Sequence, residues 1–149
     1  MIYNNPNING SNWPELNILE TLRKKNPLVI CITNDVVRTF TANGLLAIGA
    51  SPVMSECSED LKDLIVHAAA LLINIGTVTP DKVTYYKEAV KLAKAHEVPI
   101  ILDPVGCHSG AYRLSVVLDL IKTGAISLLR GNQSEIKAIY DALNTNHKI

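Results

Sequence analysis

The chain has 149 residues, 48% hydrophobic and 19% charged, which is enough apolar sequence for one globular domain. Its 14 basic and 14 acidic side chains give a formal net charge of zero, which argues against a general nucleic-acid binder, because such proteins depend on clustered Lys and Arg. Three cysteines without C-x-x-C spacing argue against a disulfide framework and a cysteine zinc site.

The first twelve residues, 1–12, are polar and rich in asparagine, and we expect them to form a loose arm. They have neither the charged lead nor the apolar segment of a signal peptide. No stretch reaches the about 18 apolar residues of a membrane span. Residues 13–149 show no repeat and no linker, so we expect them to belong to a single domain. The sequence thus predicts a cytoplasmic protein without a membrane partner.

Apolar residues alternate along the chain between strand-like and helix-like patterns. Short apolar runs bounded by Gly, Pro or polar residues predict buried strands, and spacing of i, i+3, i+4 predicts amphipathic helices, with Ser58 and Thr79 as N-caps. In chain order, the predicted elements are a helix at 13–25, a strand at 28–32, a helix at 37–48, an extended segment at 51–54, a helix from 58, a strand at 71–75, a helix at 80–96, a strand at 98–102, a helix at 112–122, a strand at 126–129 and a helix from about 132.

Strands that alternate with helices predict βαβ units, and hence an α/β fold with three layers, α/β/α, around a mostly parallel sheet. Ligands of such sheets bind beyond the carboxyl ends of the strands. The polar or small residues that follow the predicted strands are Thr33, Asn34, Gly76, Thr77, Asp103, Arg130 and Asn132. We therefore expect a ligand site where these residues converge at one edge of the sheet.

The segment 130–135 joins a predicted strand to a predicted helix and has the composition of an anion site. Free N–H groups at a helix N-terminus bind phosphate, and Arg130 adds a permanent positive charge. Glu135 offers the oxygen ligands that Mg²⁺ prefers. On spacing alone, a capping box between Asn132 and Glu135 is the simpler interpretation, and the two roles are compatible.

Asp103 stands at the tip of a predicted strand, where a carboxylate faces the ligand crevice. With Glu135 it would form a two-carboxylate magnesium site, which phosphoryl transfer uses to offset phosphate charge. The alternative is a turn aspartate before Pro104. Met54 ends a segment rich in small residues, and it is either a core residue or a cover for an apolar ring.

Two common nucleotide-binding motifs are missing from the sequence. No G-x-G-x-x-G follows the first predicted strand, and no G-x-x-x-x-G-K-[ST] occurs. The four histidines show no metal-ligand or catalytic spacing. A dinucleotide-binding domain and a P-loop enzyme are therefore disfavoured.

Five segments together resemble the hydroxyethylthiazole kinase family. They are CITN at 31–34, FTANGLLAIGASPVM at 40–54, NIGT at 74–77, LDPVG at 102–106 and RGNQSE at 130–135. Their order and spacing match over about residues 27–140. The segment ending at Met54 is the most specific, whereas the Asn-x-x-Glu piece is shared by many ribokinase-like enzymes.

The resemblance implies a ribokinase-like fold, and it implies transfer of the γ-phosphate of ATP to the hydroxyl of 4-methyl-5-(2-hydroxyethyl)thiazole, with Mg²⁺, in thiamin biosynthesis and salvage. It also implies a homotrimer for a complete family member. By the same resemblance, Met54 and Asn34 belong to the thiazole site, Arg130 and Asn132 to the ATP site, and Asp103 and Glu135 to the magnesium site.

Two features depart from the family pattern. His108 stands where the family usually has glycine, and we expect its ring to restrict close approach in the loop 106–110. The family's second half carries a further ATP contact and a glycine-rich turn with the hydroxyl-activating residue, and nothing after Tyr140 resembles it. We therefore expect an N-terminal, truncated portion of a kinase domain that has no catalytic residue of its own and ends in a short polar tail from Asp141.

Two alternatives to an active kinase stay open, and the predicted truncation adds one structural expectation. The chain could be an inactive remnant that at most binds ligand, or an unrelated phosphate-binding α/β domain. In a complete fold, later strands and helices would cover the strand predicted at 126–129, so we expect truncation to leave an exposed apolar sheet edge that is prone to aggregation.

Overall fold

A single parallel sheet organises the fold. The computed structural model of the protein describes residues 14–145. Within them the strands are β1 (Leu28–Ile32), β2 (Ser51–Met54), β3 (Ala70–Asn74), β4 (Ile100–Asp103) and β5 (Ile126–Leu129), all paired in parallel. The helices are α1 (Pro14–Lys25), α2 (Arg38–Ile48), α3 (Ser58–Ile65), α4 (Pro80–Ala95), α5 (Ala111–Lys122) and α6 (Gln133–Thr145). The predicted α/β fold with a parallel sheet is confirmed.

The predicted elements are present in the predicted order, and the strands at 28–32, 51–54 and 126–129 have the predicted bounds. Thr79 caps α4 as expected, since its side-chain oxygen accepts a hydrogen bond from the backbone N–H of Lys82. The predicted arm at 1–12 and the start of the first predicted helix lie outside the described residues.

Two local predictions are wrong for identifiable reasons. Ser58 is not an N-cap: Cys57 holds that position, and the Ser58 hydroxyl instead donates to Glu88. Val98 is not in a strand, because its N–H closes the end of α4 on the carbonyl of Ala93. The first part of the predicted polar tail, 141–145, belongs to α6, and 146–149 lie outside the described residues.

The strand order is β2-β1-β3-β4-β5, so the chain reverses direction across the sheet after β2. Because parallel crossovers are right-handed, this reversal places α2 on one face of the sheet and α3, α4 and α5 on the other. None of the described helices is long and apolar enough to cross a bilayer.

The hydrophobic core lies between the sheet and the helices α3 to α6. Alternate residues of the central strands point into it, among them Ile30, Leu71, Ile73, Ile100 and Leu102, and each is inaccessible to solvent. Continuous burial of this kind holds the strands in register, because a shift by one residue would turn every side chain to the other face. The carboxyl ends of the strands are thereby fixed along one edge.

The opposite face of the sheet is only partly covered by the described residues. α2 has no buried residue, and its Phe40 is 82% exposed. β5 forms one edge of the sheet, and Leu128 on it is 56% exposed. The exposed apolar edge expected at 126–129 is thus found.

Two neighbouring tyrosines of α4 give opposite predictions for stability. Tyr86 is fully buried, its hydroxyl has no partner among the described residues, and burial raises its pKa to about 12. Tyr85 is half-buried, and its hydroxyl shares a 2.6 Å hydrogen bond with Ser55. An unpaired buried hydroxyl destabilises a fold, whereas a formed hydrogen bond contributes about 1 kcal/mol.

We expect Tyr86→Phe to raise the free energy of unfolding by about 1 kcal/mol and Tyr85→Phe to lower it by about the same amount. Urea denaturation followed by circular dichroism measures both changes. Each variant is the other's control, since both lose one hydroxyl from the same helix. Equal destabilisation by the two substitutions would contradict the assignment of the Tyr86 hydroxyl as unpaired.

Candidate functional site

Buried polar side chains gather at the carboxyl edge of the sheet, as the strand-end rule predicts. Asn34 follows β1, Asn74 ends β3 and Asp103 ends β4, and each is less than 8% exposed. Arg130 follows β5 and reaches back to β4. Because all the strands are parallel, their carboxyl ends meet at this one edge.

A chain of hydrogen bonds joins these four residues, and we call it the edge network: Asn34, Asn74, Asp103 and Arg130. Nδ2 of Asn34 donates to Oδ1 of Asn74 at 2.8 Å, and Nδ2 of Asn74 donates to Oδ2 of Asp103 at 2.9 Å. Nη1 of Arg130 donates to the same oxygen of Asp103 at 3.0 Å. The network therefore spans β1, β3, β4 and the end of β5.

Asp103 is the acceptor at which the hydrogen bonds of Asn74 and Arg130 meet. Burial raises its pKa above the ordinary value, while the charge and hydrogen bond of Arg130 and the amide of Asn74 act in the opposite direction. Its Oδ2 accepts both hydrogen bonds, and no described donor contacts Oδ1. A carboxylate with one engaged and one available oxygen can hold a cation or a metal-bound water.

Arg130, Asn132 and Glu135 meet at the N-terminus of α6, where the predicted capping box is formed. Oδ1 of Asn132 accepts from the Glu135 N–H at 3.0 Å, and Oε2 of Glu135 accepts from the Asn132 N–H at 2.9 Å. The first-turn N–H groups of Gln133 and Ser134 have no intrahelical acceptor, so they can bind an anion. The geometry thus combines a cap with an open helix end.

Glu135 also fixes the loop that follows β4. Its Oε1 accepts from the N–H of Gly106 at 2.9 Å, and the residue is only 6% exposed. Gly106 has a φ of 69°, in the region that favours glycine. Both carboxylate oxygens therefore hold backbone groups, which makes Glu135 a link between two loops as well as a candidate metal-side residue.

The expected restriction by the His108 ring concerns how closely a ligand can approach this loop, and it stays a prediction. His108 lies in a short 3₁₀ turn, Cys107–Ser109, and its side chain is exposed. It is absent from the described non-glycine residues with positive φ, so the turn does not require glycine at this position. Arg113 packs under the loop instead, and it donates to the carbonyl of Val105 at 3.0 Å.

Two adjoining cavities open along the network. One, of about 360 Å³, contains Asp103, Arg130, Asn132 and Glu135, which are the four residues predicted for ATP and magnesium. The other, of about 520 Å³, extends from Asp103 and Arg130 past Asn34 to α2. The predicted nucleotide-side residues are thus brought together, and Asn34 is linked to them through Asn74.

Met54 lies apart from this group. It ends β2, three strands away from β4, so its backbone is roughly 14 Å from that of Asp103 at about 4.8 Å per strand. It is half-buried, and it lines none of the cavities described here. That separation leaves room for an acceptor molecule, but no described contact joins Met54 to the edge network.

A third cavity, of about 360 Å³, lies at the same edge on the α4 side. Asp35, Glu56 and Lys82 line it together with Thr33, whose buried hydroxyl has no partner among the described residues. Lys82 and Arg38 neutralise two of its carboxylates through ion pairs, and they lower the pKa of Asp35. Sequence reasoning assigned no role to Asp35, Glu56 or Lys82.

The described residues contain no cluster of three or more His, Cys, Asp or Glu side chains that could cage a metal. Mg²⁺ does not need such a cage, because it keeps several waters and is bound by one or two carboxylates together with phosphate oxygens. The available oxygen of Asp103 fits that mode of binding.

Asn74 is the member of the edge network that the sequence did not predict. It lies in the NIGT segment at 74–77, but an asparagine at the end of an apolar run is also a common turn residue. The signal that could have found it is its position: a polar residue inside the predicted strand-end row, between Asn34 and Asp103.

Comparisons with known proteins find similar sequences over most of the chain. The model of the "Hydroxyethylthiazole kinase family" matches residues 19–148. Hydroxyethylthiazole kinases of Streptococcus agalactiae and Streptococcus suis are 60% and 57% identical to the chain over 121 residues. These residues are 81% of this chain but 47% and 46% of those proteins, so the chain spans about half the length of the curated relatives it matches.

A solved structure extends the comparison to the fold. The structure of a hydroxyethylthiazole kinase protein from Pyrococcus horikoshii superposes with a TM-score of 0.83 at 39% identity. The superposition covers 89% of this chain and 52% of that one.

Glu135 accepts hydrogen bonds from the backbone N–H groups of Gly106 and Asn132, and this predicts how a substitution would change stability. Glu135→Gln replaces one acceptor oxygen by an NH₂ group, which cannot accept from a backbone N–H. One of the N–H groups of Gly106 and Asn132 would then lose its partner. We expect the free energy of unfolding to fall by about 1–3 kcal/mol.

The midpoint of urea denaturation measures this change. Glu20→Gln, on the exposed side of α1, is the matched control and should change stability by less than about 0.5 kcal/mol. An unchanged midpoint for Glu135→Gln would show that the carboxylate does not link the two loops.

Proposed function

Because the chain belongs to the hydroxyethylthiazole kinase family, we propose that it binds MgATP and 4-methyl-5-(2-hydroxyethyl)thiazole and contributes to transfer of the γ-phosphate to the thiazole alcohol. The observation that carries the proposal is the convergence of Asp103, Arg130, Asn132 and Glu135 on one cavity at the carboxyl edge of the sheet. Family membership supports a nucleotide co-substrate and a small-molecule acceptor.

On the nucleotide side, the cavity supplies positive charge and hydrogen-bond donors. Arg130 is 76% exposed at its side chain even though it contacts Asp103, so part of its guanidinium remains available to phosphate. The N-terminus of α6 points N–H groups into the same region. Such groups stabilise the charge that develops on the equatorial phosphate oxygens during transfer.

Asp103 is the residue we propose to hold Mg²⁺, with Glu135 acting through water. When bound, the ion would neutralise charge on the phosphates. The ionised Asp103 is destabilised by burial, and a nearby cation would relieve that cost.

On the acceptor side, Asn34 and Met54 are the proposed thiazole residues. Asn34 uses its oxygen for the N–H groups of Val36 and Val37 and its nitrogen for Asn74. One N–H of its amide is therefore left for a ligand. Met54 is half-buried at the end of β2, and it would cover the apolar ring.

In the reaction, the hydroxyl oxygen attacks the γ-phosphorus, the bond to the β,γ-bridging oxygen breaks, and the hydroxyl proton is taken by a base. We assign no residue of this chain to that base. The resemblance places it in the glycine-rich turn of the family's second half. A homotrimer, supported by the exposed apolar side chains of α2, and a cytoplasmic location belong to the same proposal.

Binding of MgATP tests the nucleotide side. We expect the chain to bind MgATP in a calorimetric titration and Arg130→Ala to weaken this binding roughly tenfold, because one charge-assisted contact is lost. Lys137→Ala removes one positive charge from α6 where the side chain pairs with Asp141, and it should leave binding unchanged. Equal weakening by both substitutions would mean that only net charge matters.

An assay of ATP-dependent thiazole phosphorylation tests whether these 149 residues can catalyse the transfer by themselves. We expect no turnover by the 149 residues alone above a blank without enzyme, since the hydroxyl-activating residue has no counterpart among them. Clear turnover would refute this expectation and place the base within the chain.

A further inference from the structure

We propose that Asn74 is a positioning residue that couples the start of α2 to the carboxylate of Asp103. Through this coupling, the acceptor side and the nucleotide side of the site share one rigid support. The consequence for ligand binding rests on the proposed function, whereas the coupling itself is a property of the protein without ligand.

Asn74 has the burial and contacts that such a role needs. It is 6% exposed at the end of β3, between β1 and β4. Its Oδ1 accepts from Asn34 at 2.8 Å and from the backbone N–H of Gly76 at 2.9 Å. Its Nδ2 donates to Asp103 at 2.9 Å. Both ends of one amide are therefore engaged, each with a different strand.

The direction of these hydrogen bonds is fixed by groups that can act in only one way. The N–H of Gly76 can only donate, so the atom of Asn74 that faces it must be the oxygen. The other atom is then the NH₂ group, which suits the carboxylate of Asp103. At the far end, backbone N–H groups of Val36 and Val37 require the oxygen of Asn34 in the same manner.

Close packing holds the amides in this arrangement. A Cβ added at Gly76 would lie 2.6 Å from Nδ2 of Asn34 and 2.8 Å from its Cβ, so no side chain fits there. The side chain of Asn34 is therefore packed directly against the backbone that follows β3. A displacement of the α2 start should therefore be transmitted to Asp103.

The amide of Asn74 also decides which oxygen of Asp103 is available. With Arg130 it engages Oδ2, which leaves Oδ1 without a described donor at a residue that lines the cavity. The other charged group that acts on Asp103 is Glu135 from α6. Neither Arg130 nor Glu135 contacts Asn34, so among the described contacts the connection from α2 to Asp103 passes through Asn74.

Nuclear magnetic resonance of the unliganded chain at a fixed pH near 7 tests the coupling. We expect Asn34→Ala to shift the ¹³C carboxyl signal of Asp103 and the Nε–H signal of Arg130. In an Asn74→Ala background the same substitution should shift them at least about threefold less. Asn144→Ala removes an exposed amide from α6 and should shift neither signal. Shifts of equal size in both backgrounds, or no shift with Asn74 present, would overturn the proposal.

A measurement on the unaltered chain covers the case in which a variant does not fold. The NH₂ protons of Asn34 and Asn74 should exchange with solvent at least about tenfold more slowly than those of the exposed Asn144. Exchange of the Asn74 protons as fast as those of Asn144 would show that the amide is not held, and it would overturn the proposal.

Titration with MgATP separates this proposal from the proposed function. Asn74→Asp keeps an acceptor toward Gly76 but places a second carboxylate against Asp103, and we expect it to weaken MgATP binding about tenfold or more, while Asn144→Asp leaves it unchanged. If the unaltered chain binds no MgATP, the proposed function fails and the resonance data still decide the coupling. If Asn74→Asp binds MgATP as well as the unaltered chain, the positioning role is wrong.

Discussion

Burying an ionised carboxylate costs several kcal/mol unless donors meet it, and that requirement organises the functional edge of this protein. Asp103 is 7% exposed, and one of its oxygens accepts from both Asn74 and Arg130. These two donors come from the strands on either side of β4. The carboxylate therefore holds its neighbours in place, while its second oxygen has no described donor.

Glu135, on helix α6, likewise holds neighbouring segments in place. It ties the loop after β4 to the N-terminus of α6, so the two walls of the nucleotide-side cavity have a common support. Positioning and electrostatics are the main contributions that a protein makes to phosphoryl transfer. In the proposed function, strand ends and one helix end would supply both.

The sequence predicted the fold well, because the signals for it are local. Short apolar runs bounded by Pro27 or by polar residues mark the strands, and the alternation with helices implies a parallel sheet with its ligand edge. Asp103, Arg130 and Glu135 followed from that edge. Their roles as ligands stay proposals, as does the thiazole role of Asn34 and Met54.

What the sequence could not give are features that depend on tertiary contacts. The N-cap was misplaced at Ser58 because Glu88, thirty residues later, binds its hydroxyl. The hydrogen bond from the Gly106 N–H to Glu135 lies outside the predicted capping box, and the role of Asn74 emerges only when β1, β3 and β4 lie side by side. The backbone at His108 does not require glycine, whereas the expected effect of its ring on ligand approach stays a prediction.

The edge network also has a consequence for how the molecule forms. Its three links join residues 40, 29 and 27 positions apart in sequence, and each crosses from one strand to the next. Contacts of such long range form only once the entropic cost of closing the intervening loops has been met. Because the network spans four strands, a chain in which only neighbouring segments have folded would have no candidate site.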